Sequence, residues 1–221
     1  MEKPVALVIG ASRGLGFFIS IELAKLNYHV ICVARTVGGL EDLDDKIQKI
    51  GGTATLAPLD ITDKKAIEHL CHNIFQRWKK IDILIQGAVF AAPLSPVEHI
   101  DDKDMQKSIV TNLSATQTII SMTQPLLKVA KKGIAVFFSD RNLKEKFFGA
   151  YGSTKAAQIS LVLNWKKENS NNSLKILILE PNAMTTATRA RFHPGENKSL
   201  LMSPEDEAKR LTKIITQAYV S

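Results

Sequence analysis

Short apolar runs rich in Val, Ile and Leu alternate along this chain with longer stretches of helical period, and this alternation restricts its fold more than any other feature. The runs are Val5 to Ile9, Val30 to Val33, Thr53 to Pro58, Ile81 to Ile85, Ile134 to Phe138 and Lys175 to Leu179. Helical patterning fills roughly 15–26, 41–50, 63–78, 101–128 and 150–168 between and beside them. Strands with branched apolar residues on both faces must be covered on both faces, and a helix after each strand is the connection that parallel pairing needs. The pattern therefore predicts an α/β fold, a doubly wound parallel sheet with helices on each side. With 221 residues, 45% of them hydrophobic, the chain suits a single domain spanning 1–221.

Two helix starts carry their own signals. Thr62 is placed to cap a helix beginning at Asp63-Lys64, and Ser203-Pro204-Glu205-Asp206 combines a capping serine, a first-turn proline and an acid three residues on. The polar stretch Glu168 to Ser173 reads as a surface loop before the sixth strand.

The formal net charge is +7, which suits nucleic acid, an acidic surface or a ligand with several phosphates. The basic residues are dispersed, and the pairs Lys79-Lys80 and Lys131-Lys132 read as solvated helix ends. With no aromatic stacking platform and no basic recognition helix, no nucleic-acid partner is expected. Two cysteines, Cys32 and Cys71, are too few for a disulfide framework, and the five histidines form no metal-binding spacing, so no metal is expected. No apolar run approaches the roughly 18–20 residues of a membrane span, and a cytoplasmic location is the expectation.

Within residues 8–19, VIGASRGLGFFI, three glycines separate the first strand from the first helix. Gly10 permits a tight turn, while Gly14 and Gly16 let a ligand and the neighbouring backbone come close to the helix N-terminus. That terminus has unpaired N–H groups and a positive dipole end, a natural seat for a pyrophosphate. An NAD-binding chain would place an acid about 20 positions further on, at the end of the second strand. Here the sequence reads Val33-Ala34-Arg35-Thr36. Arg35, with Arg13 from the glycine loop, suits a ribose 2′-phosphate, since planar guanidinium forks match phosphate geometry, so NADP(H) is the expected dinucleotide.

Tyr151 and Lys155 are four residues apart and thus share a helix face. A phenol, with an ordinary pKa near 10, needs a neighbouring cation to exchange protons at neutral pH.

Gly10-Ala11-Ser12-Arg13-Gly14-Leu15-Gly16, followed by Tyr151-x-x-x-Lys155 in an alternating chain, resembles the short-chain dehydrogenase/reductase family. The likeness extends from about residue 4 to 188 through Leu59-Asp60-Ile61-Thr62, Thr111-Asn112-Leu113 and Pro181-Asn182-Ala183-Met184-Thr185-Thr186. It implies a Rossmann-type sheet, here lacking the seventh strand of many relatives. By the same resemblance Ser12, Leu15, Thr36, Asp60, Ile61, Gly87, Ala88, Asn182 and Thr186 would join Gly10, Arg13, Gly14, Gly16 and Arg35 around the cofactor. Tyr151 would donate a proton to a small carbonyl substrate, or take one from an alcohol; Lys155 would lower its pKa and bind the nicotinamide ribose. Ser139 would hydrogen-bond the carbonyl, and Asn112 would anchor a water linking Lys155 to solvent. Residues 185–202 would form a substrate lid, similar to a bacterial branch described as oxoacyl-carrier-protein reductases. A homodimer or homotetramer through the long helices is implied as well.

Three departures from the family pattern stand out. Gln86-Gly87-Ala88-Val89 replaces Asn-Asn-Ala-Gly, Ser139 stands alone and one residue closer to the tyrosine than usual, and Asn182 replaces a glycine. These keep a second reading open, an NADP-binding regulatory or scaffold protein with little turnover.

Overall fold

The computed structural model describes residues 3–220. Six parallel strands, β1 (Val5–Ile9), β2 (His29–Ala34), β3 (Thr53–Pro58), β4 (Ile83–Gln86), β5 (Ile134–Phe138) and β6 (Lys175–Leu179), form one sheet in the order β3-β2-β1-β4-β5-β6. Helices α1 (Gly14–Lys25), α2 (Val37–Lys49), α3 (Lys64–Trp78), α4 (Asp102–Ser108), α5 (Ala115–Val129), α6 (Gly149–Glu168), α7 (Ala187–Phe192) and α8 (Pro204–Val220) complete it. The expected doubly wound sheet is therefore present, and β6 forms its edge. Strand order reverses between β1 and β4, and beyond the carboxyl ends of such strands a crevice opens.

Each face of the sheet has its own core. Alternate residues of β1, Ala6 and Val8, pack with Phe17, Leu23, Leu40 and Leu211 from α1, α2 and α8. The intervening Val5, Leu7 and Ile9 pack with Ile67, Ile74, Ile119, Leu127 and Trp165 from α3, α5 and α6. This two-sided burial is why the strands read as unbroken apolar runs rather than as an alternation.

Several boundaries differ from expectation for local reasons. Asp63, not Thr62, caps α3: its carboxylate accepts from the N–H groups of Lys65 and Ala66, a stronger acceptor than a hydroxyl. Thr62 instead donates to Asp60 through both its N–H and its hydroxyl. Ser203 does cap α8, accepting from the Asp206 N–H at 3.0 Å and donating its hydroxyl to the Asp206 carboxylate at 2.7 Å. The helix expected over 101–128 is interrupted by a π-helical segment at Ile109–Ser114, and α2 begins earlier than its apolar period suggests, at Val37. Lys79 ends α3 in the left-handed conformation, while Lys80 pairs with the buried Asp82 at 2.9 Å.

Asp82 ties the start of β4 to β1, because its carboxylate also accepts from the Val5 N–H at 2.8 Å. Asp82→Ala leaves that buried amide unsatisfied, and chemical unfolding should show a loss of about 1–3 kcal/mol. An unchanged midpoint would show that solvent replaces the carboxylate there.

Candidate active site

The site grows from the turn between β1 and α1. Gly10 adopts φ +87° and Gly14 φ +59°, both left-handed, where a side chain would be strained. A Cβ on Gly16 would stand 2.4 Å from the Gly10 carbonyl oxygen, and one on Gly10 would stand 2.7 Å from the Ala88 nitrogen. Bare backbone thus lets α1 start directly beneath the end of β1. Arg13, at the N-cap of α1, is extended and its side chain makes no cap, and the first turn contains no acidic residue. The first turn therefore faces the cleft without a protein anion, which fits it for phosphate. A cleft of about 680 Å³ runs from this turn across the carboxyl ends of the strands to Tyr151 and Lys155.

The cofactor residues expected from sequence lie along this cleft. Ser12, Arg13, Gly14 and Leu15 border it at one end, with Arg35 and Thr36 beyond β2. Arg35 is exposed, with a guanidinium nitrogen 3.7 Å from Asp60 Oδ2. Burial raises the pKa of Asp60, but the Thr62 hydrogen bonds and Arg35 outweigh it, so the carboxyl is held below its ordinary range. Ile61 is buried, and a second hollow of about 480 Å³ adjoins Arg35 and Asp60. Gly87 and Ala88 press against β1, where a Cβ on Gly87 would come 3.2 Å from the Ile9 carbonyl. At the far rim, Asn182 is tied to the fully buried Glu207 by its backbone N–H at 2.9 Å and its amide at 3.0 Å. Thr186 caps α7, accepting from the Arg189 N–H at 3.2 Å.

Tyr151 is 5% exposed and Lys155 6% exposed on α6. The Tyr151 hydroxyl donates to Asp140 Oδ2 at 2.9 Å. Burial first, and the Asp140 carboxylate second, push the phenol well above its ordinary value. Burial lowers the Lys155 ammonium to about 8, against an upward pull from Asp140. Lys155 donates to the Phe138 carbonyl and to Gln158 Oε1, each at 2.6 Å. Gln158 in turn donates to the Asn112 carbonyl at 2.9 Å and the Thr116 hydroxyl at 2.7 Å. Asn112 lies in the π-helical segment, where its side chain accepts from the Phe90 N–H and donates to the Phe90 carbonyl and the Thr154 hydroxyl.

Of the four residues expected to form the catalytic set, the structure brings Tyr151 and Lys155 to the cleft and places Asn112 behind them. Ser139 is also in the lining, but its hydroxyl donates to the Leu179 carbonyl at 3.4 Å, and the side chain meeting the phenol is Asp140. Sequence reasoning did not single out Gln158, Glu207 or Gly39. Gln158 follows Lys155 at helical spacing, a visible signal; Gly39 sits where a Cβ would meet the Ser12 carbonyl at 2.7 Å, which only the folded chain reveals.

Residues 185–189 and Phe192 line one end of the cleft. Phe192 packs on Tyr151 and on Phe148, with ring centroids 4.8 Å apart in each pair. Arg191 donates to the Ala91 carbonyl at 2.6 Å, and Arg189 forms a two-pronged pair with Glu196.

A phosphate-ready turn leading to a buried phenol and amine suits redox chemistry on a dinucleotide, and the class so defined is the dinucleotide-dependent oxidoreductases. Comparison supplies the family: the short chain dehydrogenase model matches residues 4–197, and the chain belongs to that family. An NADP-dependent 3-hydroxy acid dehydrogenase of Schizosaccharomyces pombe is 25% identical, the match covering 98% of this chain and 88% of that protein. A fatty acyl-CoA reductase of Acinetobacter baylyi is 31% identical over 71% of this chain, and 54% of its own length is covered. The fold is also that of a metagenomic short-chain oxidoreductase solved in complex with NADP, with a TM-score of 0.84 at 24% identity, covering 99% of this chain and 92% of that one.

Lys155 gives this site a pH signature. Its folded pKa of about 8 lies below the ordinary lysine value of 10.5, so the unfolded chain binds more protons between those values, and stability rises with pH there. Over pH 8 to 10 the rise from this group should reach about 2 kcal/mol, and Lys155→Met should flatten it in urea unfolding curves. Parallel curves would place the amine in water.

Proposed function

We propose that this protein is an NADP(H)-dependent oxidoreductase that interconverts a carbonyl and an alcohol by hydride transfer, with Tyr151 exchanging the proton at the substrate oxygen. The observation that carries this reading is the buried Tyr151 phenol, one helical turn from Lys155, in the same cleft that the uncapped α1 turn opens onto. The names of the relatives agree with it.

The residues present fit the cofactor. The α1 turn around Gly14 would take the pyrophosphate, Arg35 and Arg13 the 2′-phosphate, and Asp60 and Ile61 would border the adenine. When bound, the nicotinamide supplies or accepts the hydride. Two of the three Lys155 N–H groups are engaged by protein, leaving one for the ribose. Phe148, Phe192 and Ala91 cluster with Tyr151, so an apolar group beside the substrate carbonyl would find matching walls. Small-molecule substrates are the partners this arrangement suits. A homodimer or homotetramer over the outer faces of α5 and α6 would cover the exposed Val129 and Leu163.

A second reading, an NADP-binding protein with little turnover, is favoured by the Tyr151–Asp140 hydrogen bond, which engages the phenol's proton. A panel of ketones, quinones and acyl thioesters, assayed by NADPH oxidation, separates the two. Turnover should fall about 10²- to 10⁴-fold in Tyr151→Phe, the range for a lost general acid. Turnover that survives the substitution removes Tyr151 from its role.

Cofactor choice has its own measurement. In fluorescence titrations NADPH should bind far more tightly than NADH, and Arg35→Ala should narrow the gap by about tenfold or more, the worth of a charge-assisted hydrogen bond. Equal affinities in the unaltered protein would overturn the NADP assignment.

A further inference from the structure

The phenol of Tyr151 donates to a carboxylate, and that carboxylate belongs to a residue open to the cleft. Asp140 is the second residue beyond β5, is half-buried, and lines the cleft together with Tyr151 and Lys155. We propose that Asp140 is the proton partner of Tyr151, taking the phenol's proton as an alcohol is oxidised and returning it as a carbonyl is reduced, so that Tyr151 relays a proton without becoming a free phenolate. This rests on the oxidoreductase reading above and adds where the proton goes.

Two features of the geometry lead there. The route inward from Lys155 ends in an amide: the ammonium donates to Gln158 Oε1, and Gln158 Nε2 donates onward to the Asn112 carbonyl. Lys155, Gln158 and Asn112 are all buried. A carboxamide holds such groups in place, but it neither gives up nor gains a proton at neutral pH, so this chain of bonds orients Lys155 and conducts nothing. Asp140, by contrast, is an acid–base group in direct contact with the phenol, at 2.9 Å, with access to water from the cleft.

The same contact disfavours a free phenolate. A carboxylate beside the phenol oxygen repels a second negative charge, and burial of the ring acts in the same direction. A concerted relay avoids that charge. In oxidation the carbinol hydrogen leaves as hydride to the oxidised nicotinamide. The alcohol O–H proton passes to the Tyr151 oxygen as the Tyr151 proton passes to Asp140 Oδ2. The products are a carbonyl, the reduced nicotinamide and a neutral carboxyl, which then releases its proton to water. Reduction reverses each step and takes one proton from water.

Among the described residues, the charged groups that act on Asp140 include Lys155 on α6 and Arg189 on α7, the latter also paired with Glu196. The adjacent Arg141 is bonded to Glu180.

The test needs no substrate. The chain contains three tyrosines, so full-length protein labelled at tyrosine ¹³Cζ gives few resonances, and the one missing in Tyr151→Phe belongs to Tyr151. Titrated by NMR with and without NADP⁺, the Tyr151 signal should show a step as Asp140 changes protonation, and Asp140→Asn should abolish that step. The phenol should also ionise at least about one pH unit lower in Asp140→Asn, the usual size of a close like-charge effect. Asn keeps the shape of Asp, and an unmoved Tyr28 signal reports an intact fold. Asp140→Ser, which also removes the charge, serves if the first variant does not fold. Coincident Tyr151 titrations in the unaltered protein and the variants would sink the proposal. That outcome is separate from turnover surviving in Tyr151→Phe, which would instead sink the hydride-transfer reading.

Discussion

The constraint on which the site depends is backbone against backbone at the end of β1. The α-carbon of Gly16 lies so near the Gly10 carbonyl, and that of Gly10 so near the Ala88 amide, that a single methyl group at either position would collide with main chain. Because the main chain cannot yield as a flexible side chain can, the contact sets where α1 begins relative to β1 and β4. Everything at the cleft follows from that start: the orientation of the α1 dipole, the floor under a phosphate, and the line from the glycine turn toward α6. The altered sequence at the end of β4, Gln86-Gly87-Ala88-Val89, is compatible with this approach because Gly87 itself sits tightly against the Ile9 carbonyl. What the alteration leaves is Gln86, whose side-chain oxygen and nitrogen are both buried without a hydrogen-bond partner among the described residues.

Behind the cleft, α5 and α6 are joined by polar groups rather than by a purely apolar seam. Asn112, Thr116, Thr154, Lys155 and Gln158 are all buried, and each has hydrogen-bond partners within the group or on neighbouring backbone. A buried polar network of this kind holds its members in one arrangement, since any displaced donor or acceptor would be left unsatisfied in a medium of low dielectric. The π-helical turn at Ile109–Ser114 belongs to the same device, as it redirects the Asn112 carbonyl toward Gln158 and the Asn112 side chain toward Phe90. The amine of Lys155 is thereby held at the cleft despite the cost of its burial.

Much of this was legible in the residues taken in order. Four of the six strands, Val5–Ile9, Thr53–Pro58, Ile134–Phe138 and Lys175–Leu179, have the limits that the sequence pattern predicts; every residue of β1 and β5 is buried, while the edge strands β3 and β6 are only partly covered. The glycine turn was legible as well, since positive φ and close approach both select against a side chain. Less visible were choices between adjacent residues of similar chemistry. Asp63 rather than Thr62 caps α3, and Asp140 rather than Ser139 meets Tyr151; in each case neighbouring residues carry competent oxygens, and the direction in which the backbone turns selects one.

The amino-acid order by itself determined the parallel sheet, the dinucleotide turn and the Tyr151/Lys155 pair, because each depends on local period or on a short fixed spacing. Only the tertiary structure decided what meets the phenol: Asp140 from the turn beyond β5 and Phe192 from the segment beyond β6. These neighbours are 11 and 41 residues away along the chain. Their meeting is set by how β5, α6 and α7 pack around one crevice, and no local pattern of the chain encodes that geometry.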